Sequence, residues 1–476
     1  VVTGTVLLAT LVGMVAVRHG LGPALIAGGL YALSDSLATA SAHVNHETQF
    51  TLACLWTWWF VTRPDRDVSG DRAAATMPGS VPRWCLAGVA LGLAYLVKSS
   101  GLLLAMAILV AGAWHGRLRF LFGLRPWAMC LAAALVASPL LVRNVVGFGQ
   151  LFYEGVNSHI MWLSEWAEAG NSETVMYYDR FGIKTIETNA LPTAQDFLRG
   201  TAPKEIGERL LTGTWNELTV VARDAVSLPF PSAPEWLRHA WGYGVLALAF
   251  AGYWLQRRSW PGVLLFFWSG AFLVFFGWNT MFPDFRYLAP LVPVWIAYAA
   301  NAAWNLLVRL LDHRAAFHTV AAAVAAVSLG LGLATVLTGR LTEPQPRMAA
   351  SPAYLRLTDW LNRHIRPGER FLLGPTKEFY GLNWMLTGGG QTIQTPDSSD
   401  LAAFQRYLRD RQVRYIVIHP ENMHGVEGRL RDDLGQYFEV LPDGTLIQRR
   451  LVPGWRLVHA DSGRPSRFRI YELAVG

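Results

Sequence analysis

Residues 88–109 read GVALGLAYLVKSSGLLLAMAIL, two short apolar runs closed around one lysine. An ammonium costs several kcal/mol in hydrocarbon unless it is paired, hydrated or used. Lys98 therefore marks a turn at a membrane face, and the runs 84–97 and 100–116 on either side read as spanning helices. Working outward, similar runs lie at 1–17, 21–42, 46–62, 126–146, 237–256, 260–278, 287–308 and 316–338, about ten spans in all. The fold class expected is mainly α, a polytopic transmembrane helical bundle followed by a small α/β domain.

Composition agrees. The 476 residues are 52% hydrophobic and 16% charged, with a mean hydropathy of +0.25, and ordinary soluble domains carry about 25% charge. Many of the 20 tryptophans sit near the ends of apolar runs (Trp56, Trp58, Trp59, Trp84, Trp278), where an indole suits headgroup depth. The net charge of +7 does not point to nucleic acid, because much of the arginine lies in short loops between runs. Alternate loops hold Arg18; Arg63, Arg66, Arg72 and Arg83; Arg117, Arg119 and Arg125; Arg257 and Arg258; Arg309 and Arg314. The positive-inside rule makes that set cytoplasmic. The segment 35–47, the turn at Lys98, the long loop 143–236, the segment 279–286 and everything after 340 then share the extracytoplasmic side. The chain starts outside and enters a span at once, which reads as a fragment lacking at least one preceding helix and loop. Cys54, Cys85 and Cys130 all fall in apolar runs, so no disulfide framework or redox chemistry is visible.

The domain reading is a membrane module over 1–340, with the loop 143–236 built from short interfacial helices, and a soluble α/β domain over 347–476. In the latter, helices are expected near 352–366 and 400–411 and strands at 371–374, 414–419, 456–460 and 468–473. There is no P-loop, GxSxG, CxxC or HExxH, and Gly388-Gly389-Gly390 lacks the strand and helix that a phosphate-cradling loop needs.

Ionisable groups at the outer ends of spans remain as candidates. Asp35 lies near His43, Asn45, His46 and Glu47; on a helix His43, His46 and Glu47 would share a face and could hold a divalent cation or orient a carboxylate, or they could be a hydrated loop ending in a helix-capping Glu. Lys98 either binds an anionic lipid phosphate in the space left by Ser99, Ser100 and Gly101, or snorkels to the headgroups. Arg143 and Asn144 emerge from one span. Asp284, Arg286 and Tyr287 precede another, and Arg286 pairs with Asp284 or offers its planar fork to a phosphate. In the long loop, His159, Trp162, Glu165, Tyr177, Tyr178 and Asp179 could contact a sugar or form an interfacial helix.

The order of GLGPALIAGGLYALSD (20–35), Glu47 opening a span, GLAYLVK (92–98), SPLLVRNVVGFGQLFY (138–153), a long outer loop, FRYLAPLVPV (285–294) and an outer soluble domain resembles the GT-C superfamily of polyprenyl-phosphate-sugar-dependent glycosyltransferases. Over residues 1–340 it is similar to bacterial protein mannosyltransferases and lipid A aminoarabinose transferases. The resemblance implies inverting transfer of a sugar (hexosyl or pentosyl) from a polyprenyl-phosphate donor to a cell-envelope lipid, glycan or protein. It implies a bacterial inner (plasma) membrane location and an extracytoplasmic C-terminal domain. By that likeness Lys98 and Arg286 are phosphate ligands and Glu47 matches an acidic residue that often opens a span; from the residues themselves Tyr287, Arg143, Asn144 and His46 are expected to contact substrate, Glu47 and Asp35 to be the catalytic carboxylates, and His43, His46 and Glu47 to form the site of any divalent cation. The family's principal aspartate lies in the first outer loop, and this sequence is expected to begin just after that loop. The rival readings are a transporter or flippase of lipid-linked sugars, against which no inverted repeat is visible, and a non-catalytic scaffold with a glycan- or protein-binding C-terminal domain.

Overall fold

The computed structural model describes residues 2–32, 34, 37, 46–63, 79–148, 151–152, 162, 175–178, 184–187, 194–226, 234–278, 284–337, 352–366, 368–372, 391–393, 400–420, 428–441, 443, 445–461 and 468–473. Two compact units emerge, Val1–Tyr153 with Thr201–Thr338, and Glu154–Gly200 with Gly339–Gly476.

The first unit is helical, and its helices fall on the apolar runs: α1 (Val2–His19), α2 (Leu21–Ala32), α3 (His46–Thr62), α4 (Val81–Val97), α5 (Gly101–Gly116) and α6 (Leu124–Phe148). After α7 (Ala194–Gly200), which belongs to the second unit, come α8 (Pro203–Val220), α9 (Glu235–Gln256), α10 (Trp260–Phe276), the single turn α11 (Phe285–Leu288), α12 (Val292–Leu310) and α13 (His313–Leu337). The run at 287–308 is broken into α11 and α12 where Pro290 and Pro293 withhold backbone donors.

Within the stretch expected as a loop, α8 is a full helix that continues into a π turn at Val221–Ala225. Pro203 opens it and Glu205 sits in its first turn. Its buried face runs Leu210, Gly213, Thr214, Glu217, Val220, Val221, a helical stripe with one carboxylate in it.

The packing of α4 on α6 is tight because two glycines permit it. A Cβ on Gly88 would overlap the Met129 carbonyl oxygen, and one on Gly92 would lie 2.7 Å from Val136 Cβ. The two helices run in the same direction at a constant offset, which carries the end of α4, at Lys98, to the height of Arg143 and Asn144 on α6.

The ends of α3 differ in chemistry. At its last turn Arg18 donates to the Thr62 carbonyl (3.2 Å), Arg83 to the Arg63 carbonyl (2.7 Å) and the Trp260 indole to the Val61 carbonyl (2.7 Å). Glu47 sits at the other end, about 23 Å away along the axis. Basic residues from two loops, Arg18 and Arg83, therefore meet at this end of α3.

The bundle's outer surface is apolar. Leu131, Leu135 and Phe250 are each more than 60% exposed, and no charged residue interrupts α6 between Arg125 and Arg143. Two helices, Val2–His19 and Leu124–Val146, are long and apolar enough to cross a membrane, and four shorter ones (Leu21–Ala32, Val81–Val97, Gly101–Gly116, Trp260–Phe276) are equally apolar in character.

The second unit is an α/β layer structure. Its sheet has the order β2 (Lys184–Glu187), β1 (Val175–Tyr178), β4 (Gln391–Ile393), β3 (Arg370–Leu372), β5 (Val413–Ile418), β9 (Arg469–Leu473), β8 (Trp455–Ala460). β3 is parallel to β4 and β5, and the outer pairs are antiparallel. Alternation along β5 sends Tyr415 and Val417 to one face, against Leu357 and Leu361 of α14 (Pro352–His364). Ile416 and Ile418 go to the other, with Phe404 and Leu408 of α15 (Leu401–Asp410) and Leu430 and Leu434 of α16 (Gly428–Gly435). A separate hairpin joins β6 (Phe438–Val440) and β7 (Leu446–Gln448).

Candidate active site

Glu47 is the second residue of α3 and only 4% exposed. The amides of a first helical turn carry partial positive charge, so a carboxylate is favoured there. Lys98 meets it from the end of α4: its backbone turns extended, its N–H closes on the Ala94 carbonyl (2.8 Å), and the Gly101 N–H bonds back to its carbonyl (2.9 Å). That tight turn, which launches α5 at once, holds the ammonium 3.4 Å from Glu47 Oε1. The Lys98 Nζ also lies over the rings of Tyr287 (5.6 Å) and Phe50 (5.9 Å). His46 approaches the same Oε1 at 3.3 Å from the exposed side.

Arg286 comes from α11. Asp284 caps α11, its Oδ1 accepting the Arg286 backbone N–H (2.9 Å) and its Oδ2 the Arg286 Nε (2.6 Å). Tyr287 stacks on Phe276 at the end of α10 (4.8 Å, 13°) and so faces a rigid partner. The Arg286 guanidinium is half exposed, and Glu47 lies close enough to act on its charge. Lys98 and Arg286 thus flank Glu47 and Tyr287, two fixed cations beside one buried carboxylate and an aromatic floor. Such a site can exchange an internal ion pair for an anion such as phosphate, the cations being already oriented.

Glu217, on α8, was not among the residues the sequence singled out. It is 0% exposed, and among the described residues neither carboxylate oxygen has a hydrogen-bond partner. Burial pushes its pKa up to about 8; the backbone amide of Asp284 acts against that, and the Asp284 charge adds to it. The signal was legible: Glu217 is the one carboxylate in the buried stripe of α8.

Asn144 is buried, its Nδ2 donating to the Leu151 carbonyl (3.3 Å), and Arg143 is exposed beside it. Asp35 and His43 lie outside the described residues, as do His159, Glu165 and Asp179. Ser34, next to Asp35, donates to the Ala225 carbonyl (2.5 Å) and so ties that segment to the π turn after α8. Trp162 packs near Phe197 (5.8 Å), and Tyr177 and Tyr178 fall in β1 of the second unit. Of the three residues expected around a divalent cation, His46 and Glu47 are adjacent and the Glu47 charge is met by Lys98. Among the described residues no group of three His, Cys, Asp or Glu is placed to hold a metal.

An apolar cavity of about 410 Å³ is walled by Leu218, Leu246, Phe250, Leu265, Leu273 and Trp295 from α8, α9, α10 and α12.

No protein-family model and no curated protein sequence matches the chain. Among solved structures it is similar to ArnT from Cupriavidus metallidurans in the apo state, with 13% identity and a TM-score of 0.46, over 100% of this chain and 82% of that one. The same enzyme bound to undecaprenyl phosphate gives 13% and 0.47 over 99% and 82%. An oligosaccharyltransferase from Archaeoglobus fulgidus, complexed with Zn and sulfate, gives 15% and 0.48 over 94% of this chain and 60% of that one.

Proposed function

We propose that the chain is a membrane glycosyltransferase that moves a sugar from a polyprenyl-phosphate donor to a cell-envelope acceptor at the extracytoplasmic face. The observation that carries this reading is the convergence of Lys98 and Arg286 on Glu47 and Tyr287 from separate helices, at the end of α3 away from Arg18, Arg63 and Arg83. The apolar outer faces of α6 and α9 suit lipid, and the ten-span threading with an outer α/β domain is part of the proposal.

In the reaction, the bond from the anomeric carbon to the phosphate oxygen breaks as the acceptor hydroxyl attacks. Negative charge grows on the departing phosphate. Lys98 supplies a compact charge and Arg286 a planar fork, and cations held in place before the reaction stabilise that charge by several kcal/mol. Arg286 exchanges Asp284 for the phosphate. Tyr287 and Phe50 offer apolar faces to sugar or prenyl groups, and the cavity beside Leu218 and Trp295 is apolar enough for an isoprenoid chain. Glu47, held as a partner of Lys98, orients that ammonium, and the carboxylates Glu47 and Asp35 take up the proton that the acceptor hydroxyl loses as it attacks. Attack opposite the leaving phosphate inverts the anomeric centre.

The test is transfer of a radiolabelled sugar from polyprenyl-phosphate donors in membranes carrying the full-length protein. Donor-dependent transfer abolished by Lys98→Ala with expression unchanged supports the reading. A folded protein that transfers nothing from any donor contradicts it.

A further inference from the structure

We propose that Glu217 is a positioning residue for the Asp284–Arg286 pair: as a neutral acid it leaves that pair with one negative charge for an incoming phosphate to displace, and as a carboxylate it sets a second negative charge beside Asp284 that disfavours the phosphate. The inference rests on the phosphate reading of the site and adds a proton-dependent control to it.

The geometry is built. A Cβ on Gly213 would overlap the Gly277 carbonyl oxygen, so α8 and the end of α10 touch backbone to backbone. Thr214 Oγ1 donates to the Leu273 carbonyl (3.3 Å) and Arg209 Nε to the Trp278 carbonyl (3.0 Å). One turn beyond these clamps Glu217 is carried into the interior, where it meets Asp284. Two carboxyl groups thus stand near one another, and they are unequally satisfied: Asp284 accepts from the backbone and guanidinium of Arg286, while among the described residues Glu217 has no hydrogen bond of ordinary geometry and only the Asp284 backbone N–H turned toward it.

The charged surroundings are few. The helix α10 contributes no ionisable side chain over 260–276. The segment at α11 contributes Asp284, Arg286 and Tyr287, and the π turn contributes Arg223 and Asp224, which pair with each other at the surface. On α8 itself Arg209 is engaged at Trp278, and Glu205 and Glu208 are exposed. Of these groups Asp284 is the one whose charge acts on Glu217, and none of the cations does. When it loses its proton, its negative charge stands beside that of Asp284, and the two together repel the donor phosphate that must displace Asp284 from Arg286. At pH 7, with the pKa at about 8, the acid form outnumbers the carboxylate about tenfold.

The experiment is equilibrium binding of a radiolabelled polyprenyl monophosphate to the purified full-length protein, wild type and Glu217→Gln, between pH 6.5 and 9. The ligand's own second ionisation, near pH 6, is nearly complete through most of that range. Wild-type affinity is expected to hold up to about pH 7.5 and then to fall, approaching tenfold per pH unit. Glu217→Gln, which keeps a neutral side chain of the same shape, is expected to bind as the wild type does at pH 6.5 and to lose the alkaline fall. A parallel infrared spectrum should show a protonated carboxylic acid in the wild type that disappears as pH rises through 8 and is missing from the variant. An alkaline fall that persists in Glu217→Gln, or a variant that is folded but binds weakly at every pH, overturns the inference alone. Absence of binding by the wild type at pH 6.5 overturns the phosphate reading and this inference with it.

Discussion

Replacing Arg286 separates the proposed chemistry from the fold. In the resting structure its Nε (2.6 Å) and a second nitrogen both meet Oδ2 of Asp284, two donors that a phosphate can engage in turn. Charge-assisted hydrogen bonds are worth about 1.5–3 kcal/mol each. Two of them at a half-exposed position make about 3–4 kcal/mol, or ~10²- to 10³-fold in kcat/KM when they act on the departing phosphate. The cost to folding is far smaller. Asp284 Oδ1 caps the backbone N–H of residue 286, which any side chain leaves in place, and the half-exposed ion pair itself contributes at most about 1 kcal/mol. Arg286→Ala should therefore lower transfer by that factor with little change in melting temperature. Arg286→Lys keeps the charge but not the fork and should fall between the two. The assay is kcat/KM for labelled sugar in membranes with matched expression, beside thermal unfolding in detergent. Arg286→Ala within about threefold of wild type, or a loss of activity that tracks a loss of folded protein, would refute the reasoning.

Three further predictions follow from the packing and the charges. Because the Glu217 acid is raised to about 8 in the folded protein and sits at 4.5 when unfolded, folding takes up a proton between those values and wild-type stability falls as pH climbs from about 4.5 to about 8; Glu217→Gln should remove that slope and be the more stable by about 3 kcal/mol at pH 7, read from melts across pH. Gly92→Leu forces a side chain into the space held by Val136 and the Ala133 carbonyl and should cost 3 kcal/mol or about that, seen as reduced yield of folded protein, whereas Gly13→Leu, where nothing lies within 4 Å, should be tolerated. In the sheet unit, hydrogen bonds from Arg456 and Arg414 hold the Glu472 carboxyl below its ordinary range, so it stabilises at neutral pH and loses that contribution as pH falls through its depressed value. Glu472→Gln should be less stable than wild type near pH 7 and converge with it in acid.

What the sequence disclosed depended on how local the cause was. Lys98, Glu47 and Arg286 stood out because each is a charge at the edge of an apolar run, and the structure brings all three together. The helices α3, α5 and α10 match their runs closely because apolar continuity is a local property. Glu217 was missed because the segment holding it was read as a loop for want of sustained apolar character, although its face from Leu210 to Val221 repeats at helical spacing. The strand β4 and the hairpin of β1 and β2 were missed for another reason. Tyr178 pairs with Thr392 across more than two hundred residues of chain, and short polar strands acquire their identity only from such partners. The helix α14, by contrast, and the strand β5 carried their own amphipathic and apolar patterns and fell where the periodicity put them.

The most direct measurement is the position of the phosphate in a structure of the full-length protein with a polyprenyl monophosphate bound. The account predicts phosphate oxygens within hydrogen-bond reach of Lys98 Nζ and of the Arg286 guanidinium, which will have left Asp284, with Glu47 still beside Lys98. A phosphate bound elsewhere, with the Asp284–Arg286 pair intact, would contradict it.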